Sequence, residues 1–325
     1  MTPIKRSAFS HEGKWFKGNI HSHTTVSDGT VDPAQQAADY KAQGYDFLAL
    51  TDHNVMLTHA QLSSEDFLML PGWERDIPIT ERVKCIHVVG LFPADTPDDA
   101  KVSRPKGNPD EMSMQDLLDQ MRTENAFTVI AHPLWSRMEP EEVRSLTNYD
   151  AIEVFNTGTE CLCHAGRADV YWDMLLRDGK RVLAIACDDT HGKDKKPDRF
   201  GGFVMVNARA LTKEAILDAL KRGNYYSSCG PEIHEFTVED GKVHVKCSPC
   251  EEIHVVTYLP RGKAHFALGG EMLTELTYTL KGGESYVAWR AWTARASPRG
   301  AMRFSWTDSF HTNRHAAGGI TDKLP

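Results

Sequence analysis

The chain has 325 residues, of which 41% are hydrophobic and 25% are charged, a composition suited to one large globular domain and a smaller one. Its formal net charge of −8 and the lack of a run of lysines and arginines disfavour nucleic acid as a partner. The first ten residues lack the apolar core of a signal peptide, and no segment reaches the roughly 18 apolar residues of a membrane span. We therefore expect a cytoplasmic protein with no membrane partner. Seven cysteines, an odd number, argue against a disulfide framework.

Short apolar runs alternate with stretches of helical spacing from about residue 15 to residue 228. This alternation predicts an α/β domain with a mostly parallel sheet and helices outside it. Asp32 is the predicted cap of the first helix, with Pro33 in its first turn and Gly44 at its exit. The predicted strands span residues 47–50, 67–70, 86–89, 128–131, 151–155 and 182–186, and the predicted helices span residues 33–43, 113–125, 165–178 and 212–222.

The pattern changes after Pro231 to alternating apolar and polar residues without long helices. Such alternation predicts a small antiparallel β-rich, sandwich-like segment. Its predicted strands span residues 233–238, 242–245, 253–256, 276–280 and 286–289. We therefore divide the chain into a barrel domain of residues 1–230 and a β domain of residues 231–325, which ends in a polar tail from His311.

Residue types that bind metals follow four of the predicted strands. Barrel and open α/β enzymes carry their active sites at the carboxyl ends of the strands, so we expect these residues to meet in one pocket. The segments are Thr51-Asp52-His53, Pro71-Gly72-Trp73-Glu74, His132-Pro133 and Cys187-Asp188-Asp189-Thr190-His191.

The strongest local signal is His21-Ser22-His23. On a strand, residues two apart point to the same face, so both imidazoles can bind one ion. Asp28 follows in a turn that can fold back over the same pocket, and Asp189 and His191 repeat the two-residue spacing. A lone histidine is more often an ordinary core or surface residue, but this combination favours a metal site.

In their order along the chain, these motifs resemble the PHP (polymerase and histidinol phosphatase) superfamily over roughly residues 15 to 230. The resemblance implies a distorted (β/α)7 barrel that binds two or three divalent ions such as Zn, Mn or Fe. It is nearest to bacterial PHP phosphoesterases in which a small β-rich segment follows the barrel. The motifs are Asn19-Ile20-His21-Ser22-His23, Leu50-Thr51-Asp52-His53-Asn54, Gly72-Trp73-Glu74, Ala131-His132-Pro133 and Asp189-Thr190-His191.

Carried over residue by residue, the resemblance implies three metal positions. Nitrogen and carboxylate ligands of this kind suit Zn, Mn or Fe, but they do not choose among them. The implied ligands are His21, His23, Glu74 and Asp189 for the first ion, Glu74 as a bridge with His87 and His132 for the second, and Asp28, His53 and His191 for the third.

Several neighbouring residues are candidates for supporting roles. Asp52 and Asp188 either orient imidazoles or cap local turns. Asp28 and His191 are candidate catalytic residues for protonating the leaving group, although a water on the third ion ranks first because a metal ligand is a poor proton donor. Four basic residues just past the ligand-bearing segments are candidates for binding phosphate oxygens: Arg75, Arg137, Lys193 and Arg199.

The expected reaction is hydrolysis of phosphate esters of small metabolites by a hydroxide that bridges the metal ions. Monoesters and diesters, including small cyclic ones, both remain open as substrates. The alternatives are hydrolysis of carboxyl esters or carbamates, DNA exonuclease activity, and a metal-binding scaffold without activity. The acidic charge balance disfavours the exonuclease. Basic side chains facing the metals would favour phosphate over a neutral ester.

Overall fold

The computed structural model describes residues 5–9, 13–79, 84–104, 106–108, 111–193, 196–258, 260–292 and 305–307. The predicted polar tail lies outside the described residues. The strands are β1 Lys5–Ser7, β2 Lys14–Asn19, β3 Phe47–Leu50, β4 Val55–Leu57, β5 Leu68–Ile79, β6 Lys84–Leu91, β7 Lys101–Ser103, β8 Phe127–Ile130, β9 Ala151–Asn156, β10 Leu183–Cys187, β11 Phe203–Ala208, β12 Tyr225–Ser228, β13 Ile233–Glu239, β14 Lys242–Cys250, β15 Glu252–Thr257, β16 Gly262–Phe266, β17 Leu273–Thr279, β18 Val287–Trp292 and β19 Ser305–Thr307. The α-helices are α1 Pro33–Ala42, α2 Met114–Thr123, α3 Pro140–Ser145, α4 Thr157–Cys163, α5 Asp169–Arg177 and α6 Lys213–Arg222, and a 3₁₀ helix covers Ala60–Leu62.

A distorted barrel is built from consecutive neighbours of one sheet, in the order β10-β9-β8-β6-β5-β3-β2. The barrel closes just past the ends of β2 and β10, where Ser22 forms a parallel bridge with Thr190. The His23 N–H donates to the Thr190 carbonyl at 2.9 Å, and the Asp189 N–H donates to the His21 carbonyl at 2.8 Å. The α/β fold with a distorted seven-stranded barrel is therefore confirmed.

One part of the barrel departs from the parallel pattern that the sequence predicts. β5 runs on to Ile79, well past the predicted end at residue 70, and pairs antiparallel with β6, which in turn pairs antiparallel with β8. The other four pairs of neighbouring barrel strands are parallel: β2 with β3, β3 with β5, β8 with β9, and β9 with β10. Because of the antiparallel register, Asp76 lies opposite His87, which brings His87 diagonally beside Glu74 on the same face.

The helices begin and end close to the predicted positions. The Asp32 carboxylate accepts the backbone N–H groups of Ala34 and Gln35 at 3.0 and 3.1 Å, and Gly44 follows the helix at φ +74°, as the sequence predicts. The helix predicted from residue 165 begins at Asp169 instead. The short helices α3 and α4 and the strands β11 and β12 were not predicted from the sequence. β11 and β12 extend the barrel sheet beyond β2.

The β-rich segment forms two facing sheets, ordered β1-β13-β14-β17 and β16-β15-β18. Phe236, Val245 and Trp289 pack in the core between them. The boundary at residue 230 stays a prediction. Two strand pairs join residues from either side of it, because β1 pairs with β13 and β12 pairs with β19. Across the described residues, no helix combines the length and apolarity needed to cross a membrane.

Candidate metal centre

All nine predicted ligands lie at one mouth of the barrel. His21 and His23 follow β2, His53 follows β3, Glu74 and His87 lie on β5 and β6, His132 follows β8, and Asp189 and His191 follow β10, while Asp28 lies in the turn after His23. Eight of these side chains form three overlapping groups in which one ligand atom per residue lies within 4.8 Å of every other: His21, His23, Glu74 and Asp189; His53, Glu74 and His87; and His23, Asp28, His53 and His191. The ninth, His132, lies with its Nε2 atom 3.2 Å from Glu74 Oε1.

The first group, which we call the inner group, is His21, His23, Glu74 and Asp189. His21 Nε2 lies 3.2 Å from Glu74 Oε1 and 3.3 Å from Asp189 Oδ1, and His23 Nε2 lies 3.1 Å from Glu74 Oε2 and 3.1 Å from Asp189 Oδ1. All four residues are buried. Four donor atoms therefore converge on one point inside the protein.

Polar atoms of the inner group lack partners of ordinary hydrogen-bond geometry. Among the described residues, nothing donates a well-aligned hydrogen bond to Glu74 Oε2 or Asp189 Oδ1, and His23 Nδ1 is unpaired as well. A buried ionised oxygen without a partner is costly. A divalent cation bound between these atoms would supply the missing partner, so the donor set fits a metal ion.

Glu74 connects the inner group to His87 and His132. Its Oε1 atom lies 2.9 Å from His87 Nδ1 and 3.2 Å from His132 Nε2, and its Oε2 atom lies 3.2 Å from His53 Nδ1. Each carboxylate oxygen thus faces imidazoles of more than one group. This is the arrangement expected of a bridging ligand.

The outer group is Asp28, His53 and His191, with His23 Nδ1 facing it from below. Asp28 Oδ1 lies 3.4 Å from His191 Nε2, 3.7 Å from His53 Nε2 and 3.8 Å from His23 Nδ1. The other carboxylate oxygen, Oδ2, accepts a hydrogen bond from Lys193 Nζ at 2.7 Å. The carboxylate of the outer group is therefore already paired with one cation, the Lys193 ammonium.

Glu153 on β9 holds the imidazole of His21 and the backbone of His132. Its Oε1 atom lies 2.6 Å from His21 Nδ1, and its Oε2 atom accepts the His132 backbone N–H at 2.8 Å. Asn156 donates to the same Oε2 atom at 2.9 Å and lies 3.2 Å from Asp189 Oδ2. With Nδ1 of His21 held by a carboxylate, its Nε2 lone pair is left to face the inner group.

Asp52 and Asp188 hold backbone segments and contact no imidazole. Asp52 accepts hydrogen bonds from the backbone and hydroxyl of Thr24 and from the hydroxyl of Ser27, which fixes the turn that carries Asp28. Asp188 accepts from the Tyr40 hydroxyl and from three consecutive backbone N–H groups, those of residues 200 to 202. Of the two roles that the sequence left open, the structure shows the capping of turns.

Two ligands adopt a backbone conformation that non-glycine residues rarely take. His132 has φ +24° and Asp189 has φ +54°. Gly158 packs so closely below Asp189 that a Cβ atom there would lie 2.5 Å from the Asp189 carbonyl oxygen. The site therefore requires a glycine at position 158, which no motif in the sequence indicates.

Charges within the cluster shift the pKa values of its members strongly. Burial, the largest influence on His23, lowers its pKa, but Asp189 and Glu74 together raise it to about 10. Burial raises the pKa of Glu74, yet His87, His21 and His53 hold it well below its usual value. His53 is the opposite case, because burial and the neighbouring histidines lower its pKa to about 4. The metal-free cluster thus holds a carboxylate at Glu74, a proton at His23 and a neutral imidazole at His53 near neutral pH.

A cavity of about 230 Å³ opens over the ligands. Three larger cavities of about 270, 370 and 460 Å³ lie elsewhere and hold no histidine among the described residues. The cavity over the ligands is lined by Asp28, His53, Glu74, His87, His132, Asp189 and His191, by Lys193, Lys196 and Asp198, and by Trp135, Gly158, Thr159 and Leu162.

The four basic residues singled out from the sequence are placed differently from one another. Lys193 lines the cavity. Arg75 is buried, donates to Asn54 Oδ1 at 3.0 Å and lies over the Trp73 ring. Arg199 donates to Asp39 Oδ2 at 2.7 Å, and Arg137 is exposed; neither lines the cavity. Sequence reasoning missed Lys196, Trp135 and Leu162, which do.

No family model and no curated protein matches the sequence. Among solved structures, the chain is similar to a two-domain protein from Bacteroides vulgatus that contains a predicted PHP-like metal-dependent phosphoesterase (15% identity, 88% of this chain and 93% of that chain, TM-score 0.49). It is also similar to a protein from Bifidobacterium adolescentis named as a metal-dependent phosphoesterase (16% identity, 54% of this chain and 88% of that chain, TM-score 0.41). A third similar structure is an amidohydrolase from Chromobacterium violaceum (19% identity, 54% of this chain and 87% of that chain, TM-score 0.39). At these identities the likeness concerns architecture, and what the site does follows from its own side chains.

Proposed function

We propose that this protein is a metal-dependent hydrolase of small phosphate esters. The observation that carries the proposal is that nine histidine and carboxylate side chains meet at one mouth of the barrel, where seven of them line a cavity that also has two lysines in its wall. The ligand set fits divalent ions, and the lysines fit a substrate with negative charge. A neutral carboxyl ester or carbamate would make no use of Lys193 and Lys196.

The inner group would hold the first ion, Glu74 with His87 and His132 the second, and the outer group the third. Zn, Mn and Fe all suit these ligands. When bound, clustered divalent ions supply an activated water nucleophile and neutralise charge on phosphate oxygens. The protein's own contribution is to place the phosphate and to fix the ligand atoms.

Lys193 and Lys196 would bind phosphate oxygens on the open side of the cavity. Glu153 would keep the ring of His21 and the backbone of His132 in place through its two oxygens. A proton must reach the leaving alkoxide. Asp28 and His191 both line the cavity, but either could donate a proton only while it holds no ion, so a water on the third ion would rank first. Of the two side chains, His191 is the better candidate, because His191 and Lys193, acting against burial, lower the pKa of Asp28 and keep it ionised.

The test is hydrolysis by protein reconstituted separately with Zn²⁺, Mn²⁺ or Fe²⁺. The substrates are p-nitrophenyl phosphate, bis(p-nitrophenyl) phosphate and p-nitrophenyl acetate, which share one leaving group and differ in the centre attacked. We expect turnover of at least one phosphate ester, lost in His23→Ala and retained in His234→Ala, which changes an exposed histidine of β13. Turnover of the acetate alone would contradict the proposal and favour a carboxyl esterase.

A further inference from the structure

Two apolar side chains, Trp135 and Leu162, line the cavity. The Trp135 ring lies 4.9 Å from the His132 ring at an interplanar angle of 80°, and 5.6 Å from the His87 ring at 48°. The indole is therefore stacked flat on neither imidazole. Leu162 lines the same cavity with 53% of its surface exposed.

The elements that place the ligands also place these two side chains. The turn after β8 folds back on itself, with the Ser136 N–H donating to the His132 carbonyl at 3.1 Å, and Trp135 lies within that turn. Leu162 lies on the last turn of α4, which begins where the Asn156 side chain accepts the Thr159 N–H at 2.9 Å. Both apolar side chains are thus held at fixed positions relative to the metal ligands.

Leu162 places apolar surface beside a polar site, and a ligand that covered it would remove that surface from water. Five large hydrophobic side chains are exposed among the described residues, and Leu162 is the one of these that lines this cavity. Lys193 and Lys196 also line it. The cavity therefore offers a ligand three kinds of surface: metal ligands, cations and two apolar side chains.

We propose that Trp135 and Leu162 form the subsite for the leaving group, and that the preferred substrates are phosphate esters of small alcohols that carry one flat apolar ring. The proposal rests on the proposed function. The phosphate would lie over the ligands beside the lysines, and the ring would pack against the indole. The cavity of about 230 Å³ is smaller than the roughly 300–1,000 Å³ typical of sites for drug-sized ligands, which limits the alcohol to a single ring.

Binding is tested by calorimetry on the metal-loaded protein with two non-hydrolysable probes, benzylphosphonate and methylphosphonate. We expect the wild type to bind benzylphosphonate ~10-fold more tightly, because aromatic contacts add to the burial of apolar area. Trp135→Ala should abolish the preference for benzylphosphonate and Trp135→Phe should keep most of it, with the affinity of each variant for methylphosphonate as the reference. Leu162→Ala should reduce the preference ~3-fold through lost apolar area, whereas Leu268→Ala, at a leucine 85% exposed in the β segment, should leave it unchanged.

Turnover gives an independent readout. Benzyl phosphate and 2-methoxyethyl phosphate have leaving alcohols of similar acidity, so a subsite that binds the ring should lower KM for the benzyl ester and leave kcat similar. A preference for the benzyl probe that depends on Trp135 supports the subsite. Equal affinity of the wild type for both phosphonates, or a preference that survives Trp135→Ala, overturns it while leaving the phosphoesterase proposal standing. Failure of both phosphonates to bind fully metallated protein, with no ester turnover, would refute the proposed function and the subsite with it.

Discussion

The inner and outer groups use the same kinds of side chain in opposite surroundings. In the inner group, the exposed fraction of the side chains is at most 7%, and Glu153 holds His21 at 2.6 Å. In the outer group, Asp28, His53 and His191 are 43%, 19% and 24% exposed. Lys193 neutralises Asp28 from the solvent side.

This difference has a consequence for metal binding. Buried ligands that are oriented by neighbours lose little freedom when an ion binds, and their attraction for it is screened little by water. The outer ligands are solvated, and an ion that binds there must compete with the Lys193 ammonium. We therefore expect ions of the inner and bridging positions to bind tightly and an ion of the outer group to exchange readily.

Glu74→Gln should have the largest effect. The substitution keeps the shape but removes the charge that faces imidazoles of all three groups. We expect a loss of bound metal and a fall in kcat/KM of more than ~100-fold, since even residues that only support a ligand are worth 10–100-fold. Elemental analysis and kinetics on the same preparation measure both, with Glu65→Gln, at an exposed acid, as control. Full metal content in Glu74→Gln would contradict the bridging role.

Glu153→Gln should weaken the inner site without removing a ligand. The amide can still accept a hydrogen bond from His21 but no longer attracts it as a carboxylate does, so we expect metal affinity to fall ~10–100-fold. Competition with a chromophoric chelator measures the change. Asp28→Asn provides the comparison: it should release at most the outer ion and spare the others. If Glu153→Gln and Asp28→Asn lowered the metal content equally, the inner and outer groups would not differ in how tightly they bind metal.

Metal affinity of the inner group should rise with pH. The pKa of His23 in the metal-free protein is about 10, so an ion that binds between pH 7 and 9 must displace its proton, and affinity should increase ~10-fold per pH unit for each proton released. Metal-free stability should change in the opposite direction. The pKa of His23 is higher in the folded than in the unfolded chain, so its proton stabilises the metal-free fold. This stabilisation is fully present below about pH 6.5 and is lost as the pH rises toward 10. Calorimetry in buffers of different ionisation enthalpy counts the protons; a pH-independent affinity would contradict the arrangement.

Lys193→Met should have the smallest effect and a particular sign. An exposed ion pair contributes little, so removal of the lysine should tighten binding of the outer ion by only ~2–5-fold. The same change should raise KM for a phosphate ester, because a cation is lost from the cavity wall. Lys246→Met, which breaks the exposed pair with Glu235, is the matched control. Weaker outer binding in Lys193→Met would show that the lysine supports the ion instead of competing with it.

Seven of the nine predicted ligands follow or lie within a barrel strand in a recognisable motif, which made them predictable from sequence. Asp28 was predicted from the turn after His23, and His87 from the resemblance alone. The residues around the predicted ligands were harder to predict. Gly158, Trp135 and Leu162 belong to no motif, and their positions are set by the folding of α4 and of the turn after β8. Arg75 illustrates a rule that could have been applied: neighbours on a strand point to opposite faces, so an inward Glu74 places Arg75 outside. The antiparallel β5 and β6 were missed because local apolar pattern does not reveal strand direction.

Tight metal binding by the inner group is best tested by elemental analysis of metal-stripped protein that is reconstituted with Zn²⁺ or Mn²⁺ and then dialysed. We expect at least two ions per chain to remain after dialysis, any third ion to be lost first, and His23→Ala to retain fewer ions than the wild type. A wild-type chain that keeps no ion after reconstitution would show that these side chains do not form a metal site.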